Sequence, residues 1–262
     1  MTPAIIDTHC HLTHGRFRGR VQSVLAAARD AGLVAIITAG TDVADSASAE
    51  VLARDHAGIF FTAGVHPHEA KDAGEDYLQH IEQLASAPRN VAVGEIGLDH
   101  HYDFSPPQVQ RRVFAEQLAL ARQLGKPAVV HTREAFEETL AILANSGIPG
   151  ERVVFHSFTG DAAQARRIME LGAYVGFSGI ATFKRAEPIR RAAVLVQADR
   201  ILIETDSPYL APEPVRRQKT NTPANVVHVA RCLAEVRGTS LEEFARQTTA
   251  NAVRFFGLDI PA

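Results

Sequence analysis

The chain has 262 residues, 46% hydrophobic and 22% charged, enough for a full core and incompatible with disorder as its main state. Its 27 basic and 30 acidic residues give a net charge of −3 with histidines neutral, which argues against a strongly basic binder of duplex nucleic acid but leaves a single metal-loaded cleft open. Cys10 and Cys232 cannot make a disulfide framework, no apolar run approaches the roughly 18 residues that span a bilayer, and Met1 to Asp7 shows no signal-peptide pattern, so the expected location is the cytoplasm with no membrane partner.

Short β-rich runs alternate with segments of helical period. In chain order the expected strands are Ala4–His9, Val34–Ala39, Ile59–Val65, Val91–Ile96, Ala128–His131, Arg152–His156, Tyr174–Phe177 and Ile201–Glu204. Between the first two, Val21, Val24, Leu25 and Ala28 fall at i, i+3, i+4 and i+7, and Leu241, Phe244, Ala245 and Thr248 repeat that pattern near the end. Ser105-Pro106-Pro107-Gln108 reads as an N-cap, a first-turn proline and a capping-box glutamine, and Ser240 with Glu243 offers the same box for the last helix. Gly32, Gly125 and Gly172 follow helical runs, where a left-handed C-cap is expected. The proline-containing, basic stretch Ala211–Pro223 reads as a loop over one end. Strand and helix in regular alternation predict an α/β fold, a (β/α)8 TIM barrel in a single domain over residues 1–262, with an open doubly wound sheet as the alternative.

Most of these strands run into side chains that bind metals. The first runs into Asp7-Thr8-His9-Cys10-His11, and in an extended chain Asp7, His9 and His11 share one face. Asp7 either touches a metal there or orients a histidine from behind. Cys10 takes the other face and is expected to be a small buried residue. Later strands end at Glu95, His131, His156 and Asp206. In a barrel the C-terminal strand ends converge, so His9, His11, Glu95, His131, His156 and Asp206 would meet. Four imidazoles and two carboxylates are enough for two ions if one carboxylate bridges, and mixed nitrogen and oxygen ligation suits Zn²⁺, Mn²⁺ or Fe²⁺ better than Mg²⁺. His14, His56, His68, His80, His100, His101 and His228 fall mostly in loops or helices and read as surface or local polar groups.

At these residues the sequence closely resembles the TatD family of metal-dependent deoxyribonucleases, within the amidohydrolase-like barrels. The matching segments are Ile6-Asp7-Thr8-His9-Cys10-His11-Leu12, Gly64-Val65-His66-Pro67-His68, Gly94-Glu95-Ile96-Gly97-Leu98-Asp99, His156-Ser157-Phe158-Thr159-Gly160, Glu204-Thr205-Asp206-Ser207-Pro208-Tyr209-Leu210 and the stretch from Thr249 to Phe256. The resemblance implies a barrel with two or three divalent ions that cleaves phosphodiesters, commonly from the 3′ end of DNA. It implies one metal at His9, His11 and Asp206, a second at His131 and His156 with Glu95 bridging, and His66 near the scissile phosphate. The sequence departs from the family pattern at Thr222, where glutamate is usual, and at Thr13, Ser157 and the pair His100-His101. None of these removes an expected ligand.

A metal ion lowers the pKa of bound water from about 15.7 to roughly 7, and two ions about 3.5–4 Å apart clamp the attacking and leaving oxygens. The expected reaction is attack on phosphorus by a water bridging two divalent ions (Mg²⁺, Mn²⁺ or Zn²⁺), with Asp206 or Glu95 accepting its proton. His66 and Arg133 are the candidate phosphate contacts, with Arg217 and Lys219 as outer ones. Arg133 serves equally well as a helix-start partner of Glu137, and Arg16, Arg18 and Arg20 as a solvated loop or a track for a nucleic-acid backbone. The expected partner is DNA at single-stranded ends, and the expected state is a monomer. An alternative is an ester or amide hydrolase of the same design, such as a D-aminoacyl-tRNA deacylase, because barrel and ligands do not fix the scissile bond. A third reading is a non-catalytic binding protein, against which the intact ligand set argues.

Overall fold

Apolar runs bounded by turn residues become buried strands in the computed structural model, which describes residues 4–102 and 104–260. Among those residues the strands are β1 (Ile5–Cys10), β2 (Leu33–Ala39), β3 (Ile59–Ala63), β4 (Asn90–Asp99), β5 (Ala128–Arg133), β6 (Val153–Phe155), β7 (Tyr174–Phe177) and β8 (Ile201–Ile203). The helices are α1 (Val21–Asp30), α2 (Val43–Asp55), α3 (Tyr77–Ala85), α4 (Pro107–Leu124), α5 (Phe136–Ser146), α6 (Ala162–Glu170), α7 (Glu187–Leu195), α8 (Val226–Val236) and α9 (Leu241–Phe256). The strands form one eight-stranded sheet in the order β1 to β8. A parallel bridge from Cys10 to Ser207 then joins the end of β1 to the segment after β8. This is the (β/α)8 barrel topology, so the open-sheet alternative falls.

The chain divides into two compact units, Met1–Thr38 with His156–Ala262, and Ala39–Phe155. In the first, β1 pairs in parallel with β2, and β7 with β8. Thr8 Oγ1 donates to the Ile203 carbonyl at 3.0 Å, a further tie between β1 and β8. Helix α9 packs on both of those strands. Its Asn251 donates to the Ala198 and Ile201 carbonyls at 2.8 and 2.9 Å, fixing the entry to β8. In the second unit β3, β4, β5 and β6 pair in parallel in succession. Every residue of β1 and of β4 is buried, as expected for parallel strands covered on both faces.

Two helices follow the expected pattern closely. Helix α1 buries Val24, Leu25 and Ala28, and α9 buries Phe244, Ala245 and Thr248. Ser240 caps α9, its hydroxyl accepting from Glu243 N at 3.1 Å. The expected box at Ser105 and Gln108 is not formed. Pro106, forced extended before Pro107, takes the cap position of α4 itself. The Ser105 hydroxyl instead donates to the His68 carbonyl at 2.8 Å and accepts from Lys71 N at 3.1 Å.

Helix α4 carries two buried glutamines, Gln110 and Gln117, on its inward face. Gln117 accepts from Val65 N at 2.7 Å and donates to the Val65 carbonyl at 3.0 Å, which fixes the segment after β3. Gln110 does the same for Asp99 at the end of β4, at 2.9 and 3.0 Å. Replacing Gln117 by Leu leaves two buried backbone groups unsatisfied, each worth about 1–3 kcal/mol. We expect Gln117→Leu to lower the unfolding free energy by at least about 2 kcal/mol, read as a lower urea midpoint. An unchanged midpoint would show that the glutamine does not hold that segment.

Candidate metal centres

In the first unit, β1 and the segment after β8 are stitched together residue by residue. Asp206 N donates to the His9 carbonyl at 2.9 Å, and His11 N to the Ser207 carbonyl at 2.7 Å. Asp206 adopts φ 53°, a left-handed conformation that a non-glycine residue takes only where its surroundings hold it. The outcome is a group in which His9, His11 and Asp206 each offer a donor atom within 4.8 Å of the others. His11 Nε2 lies 3.4 Å from Asp206 Oδ1. Burial alone would raise the Asp206 pKa, but the hydrogen bond from His11 and the nearby imidazoles outweigh it and hold the carboxylate below its ordinary value.

His156, just after β6, stacks on His9 with ring centroids 4.1 Å apart. Its Nδ1 lies 3.3 Å from Glu204 Oε1, which also accepts from Ser157 N at 2.6 Å. That carboxylate favours a proton on Nδ1 and turns the Nε2 lone pair outward, the pairing found behind ligating histidines. Asp7 is fully buried and committed to Thr205, accepting from its N at 2.8 Å and from its hydroxyl at 2.6 Å. It also accepts from His9 N at 3.4 Å, and burial raises its pKa well above the ordinary value. Cys10 is buried, with its thiol toward the Ile37 carbonyl at 3.5 Å, as the strand alternation requires.

In the second unit the chemistry gathers on Glu95, 3% exposed. His131 Nδ1 is 2.8 Å from Glu95 Oε1, and His66 Nε2 is 3.4 Å from the same oxygen. Asp99 stands behind them, its Oδ2 2.8 Å from His68 Nε2 and 3.2 Å from His131 Nε2. Burial opposes ionisation of Asp99, yet the hydrogen bonds from His131 and His68 and from the Tyr102 backbone push its pKa far below the carboxylate range. Close approach of β4 and β5 requires Gly97. At φ 145° a Cβ there would stand 2.0 Å from the His131 carbonyl, so any side chain would drive His131 away from Glu95.

Two ligands about 2.1 Å from one ion at a tetrahedral angle stand about 3.4 Å apart. The His11–Asp206 separation has that value. Nitrogen and carboxylate donors, largely buried and already close, fit a divalent ion in each unit. His66 differs from the others in one respect. Its Nδ1 accepts from His68 N at 3.1 Å, so the ring proton of the neutral form sits on Nε2. Burial drives its pKa down to about 4, with Glu95 opposing, so it is neutral at pH 7. Such an imidazole presents an N–H donor rather than a lone pair toward Glu95. We expect His66→Ala to lower kcat by about 10²–10³-fold with unchanged metal content by elemental analysis. Loss of metal in that variant would make His66 a ligand instead.

Of the expected substrate contacts, Arg133 ends β5 with its guanidinium 4.8 Å from the centre of the Tyr102 ring. Arg217 and Lys219 are exposed in the loop over residues 211–222. Arg16 reaches the Pro208 carbonyl at 3.5 Å, and Arg18 and Arg20 are exposed. His100 and His101 bind acidic residues, at 2.6 Å from Glu138 and 2.6 Å from Glu134. Asp99, Glu204 and the α4 glutamines had no role in the sequence reading. Asp99 and Glu204 do lie inside the matching segments, and their place at strand ends was the available signal.

A family model described as TatD related DNase matches residues 6–257. A protein of Edwardsiella piscicida named 3′-5′ ssDNA/RNA exonuclease TatD is 39% identical over 261 residues, covering 97% of this chain and 100% of that one. The Bacillus subtilis (strain 168) protein named uncharacterized metal-dependent hydrolase YabD is 36% identical over 255 residues, covering 97% and 100%. Among solved structures, YJJV, a TatD homolog from Escherichia coli K12, matches with a TM-score of 0.92 at 29% identity, over 97% of this chain and 98% of that one. The family match spans nearly the whole chain, the relatives match 97% of it, and largely buried donor groups of the right chemistry stand at its strand ends: the chain belongs to the TatD-related DNase family of metal-dependent hydrolases.

Proposed function

We propose that the protein is a metal-dependent 3′-5′ exodeoxyribonuclease of single-stranded ends, acting as a cytoplasmic monomer with two divalent ions. The observation that carries this reading is the pair of largely buried imidazole and carboxylate groups, His9-His11-Asp206 in one unit and Glu95-His131 beside His66 in the other. In this reading His9, His11 and Asp206 hold one ion and Glu95 and His131 anchor the second, while His156 offers a further nitrogen. Bound divalent ions supply a nucleophile at neutral pH and a sink for charge on the leaving oxygen.

The chain's own residues do the rest. Glu95 accepts the proton of the attacking water, because its Oε1 lies 3.4 Å from His66 Nε2, the group that meets the phosphate. His66 donates its Nε2 proton in a hydrogen bond to a non-bridging phosphate oxygen, as a neutral donor that costs no proton transfer. Asp99 holds the His131 ring and Glu204 the His156 ring in the orientation and tautomer that ligation needs. Arg133, Arg217 and Lys219 hold backbone phosphates further along the strand.

A 5′-labelled single-stranded oligonucleotide with metal-loaded protein tests the polarity. The expected result is a ladder shortening from the 3′ end, abolished by a phosphorothioate at the 3′-terminal linkage. Internal cuts, or no cuts alongside deacylation of a D-aminoacyl-tRNA, would contradict the exonuclease reading and favour the ester hydrolase.

A further inference from the structure

Among the described residues three phenyl or phenol rings are exposed: Tyr102, Phe104 and Tyr209. Each stands against a histidine of the site or its neighbour, Tyr209 with its ring centroid 5.8 Å from that of His11. Tyr102 and Phe104 form an exposed stacked pair. Their rings are parallel within 1°, with centroids 5.2 Å apart, and they are 41% and 53% exposed. Neither fills a core, since a ring half in water gains little from hydrophobic burial.

The pair is continuous with the candidate site in the same unit. The His68 ring meets Phe104 at 4.8 Å and Tyr102 at 5.5 Å, both edge to face. It also meets the His66 ring at 4.4 Å and bonds Asp99, which in turn holds His131. Tyr102 is anchored on the other side of the motif, its N donating to Asp99 Oδ1 at 3.0 Å. Arg133 adds a guanidinium over the Tyr102 ring at 4.8 Å. An exposed, oriented aromatic surface with a cation beside it, one histidine away from the phosphate donor, matches what an unpaired base needs: a flat face to stack on and a positive charge for the adjoining phosphate. A duplex end offers no unpaired base to such a surface.

We propose that Tyr102 and Phe104 form a stacking shelf for an unpaired base near the scissile linkage, with Arg133 on its backbone phosphate, so that base stacking positions the single-stranded end. This rests on the single-strand nucleic-acid reading above. The shelf makes no base-specific hydrogen bond, so it positions any base.

The test joins binding and hydrolysis. The probe is a single-stranded oligonucleotide with 2-aminopurine at its 3′ end, whose fluorescence falls when the base stacks, added to metal-stripped wild type, Phe104→Ala and Phe104→Trp. The expected result is quenching by the wild type, loss of quenching in Phe104→Ala and its return in Phe104→Trp. In the metal-loaded enzyme, KM for a base-bearing 3′ end is about tenfold lower than for an abasic one, and Phe104→Ala narrows that gap. Equal quenching by wild type and Phe104→Ala, or no quenching by the wild type, overturns the shelf. Hydrolysis without an effect of Phe104→Ala would sink the shelf and spare the nuclease. Phe104-dependent quenching without hydrolysis would do the reverse.

Discussion

Glu95→Gln is expected to lower kcat/KM on single-stranded DNA by about 10³-fold or more, with the fold intact by circular dichroism. The substitution keeps the volume of a side chain that is 3% exposed and keeps an acceptor for His131, so packing is not the variable. What disappears is the negative charge that, in the proposed mechanism, serves both as a ligand and as the acceptor of the water's proton. Asp206→Asn removes a charge from the other donor group, where His9 and His11 remain. The two variants therefore separate by their response to metal. Raising Mn²⁺ should restore part of the activity of Asp206→Asn, by refilling a weakened site, and should leave Glu95→Gln inactive. Full recovery of Glu95→Gln at high Mn²⁺ would reduce Glu95 to a ligand alone and return the proton to Asp206.

The second large effect is on stability. If ions are bound as proposed, their removal leaves Glu95 beside His131, Asp99 beside His131 and Asp206 beside His11 without the charge that a divalent ion supplies. An ion at about 1,000 times its Kd stabilises the folded chain by about 4 kcal/mol per site. Chains of this size shift by about 2–4 °C in Tm per kcal/mol. Stripping two such sites with a chelator is therefore expected to lower Tm by about 16 °C or more, recovered by adding Zn²⁺ or Mn²⁺ and halved in a His9→Ala/His11→Ala variant. A Tm indifferent to chelator would mean that the buried groups are held by their mutual hydrogen bonds and bind no ion with useful affinity.

The barrel was legible from the order of elements, because parallel strands buried on both faces read as short apolar runs that alternate with segments of helical period. Strand ends were less so. The expected fourth strand stopped at Ile96, whereas β4 continues to Asp99, since Gly97 permits a register with β5 that a side chain would forbid. That difference of three residues hid Asp99, which the longer strand carries to His131. The candidate ligands were readable because His9, His11 and Asp206 lie where strand alternation and strand ends put them. The support behind them was not, because Gln117 reaches Val65 across 52 positions and Asp7 reaches Thr205 across 198. The fate of Ser105 was equally hidden, since the choice between capping α4 and binding the His68 carbonyl depends on a loop that only the fold brings near.

The most direct measurement is release of labelled mononucleotide from a 3′-labelled single-stranded DNA by metal-stripped protein, with Mg²⁺, Mn²⁺ and Zn²⁺ returned one at a time, beside His131→Ala purified identically. The account predicts release that depends on added metal and is lost in the variant. Equal release by wild type and His131→Ala, or none from a wild type that has taken up its ions, would contradict it.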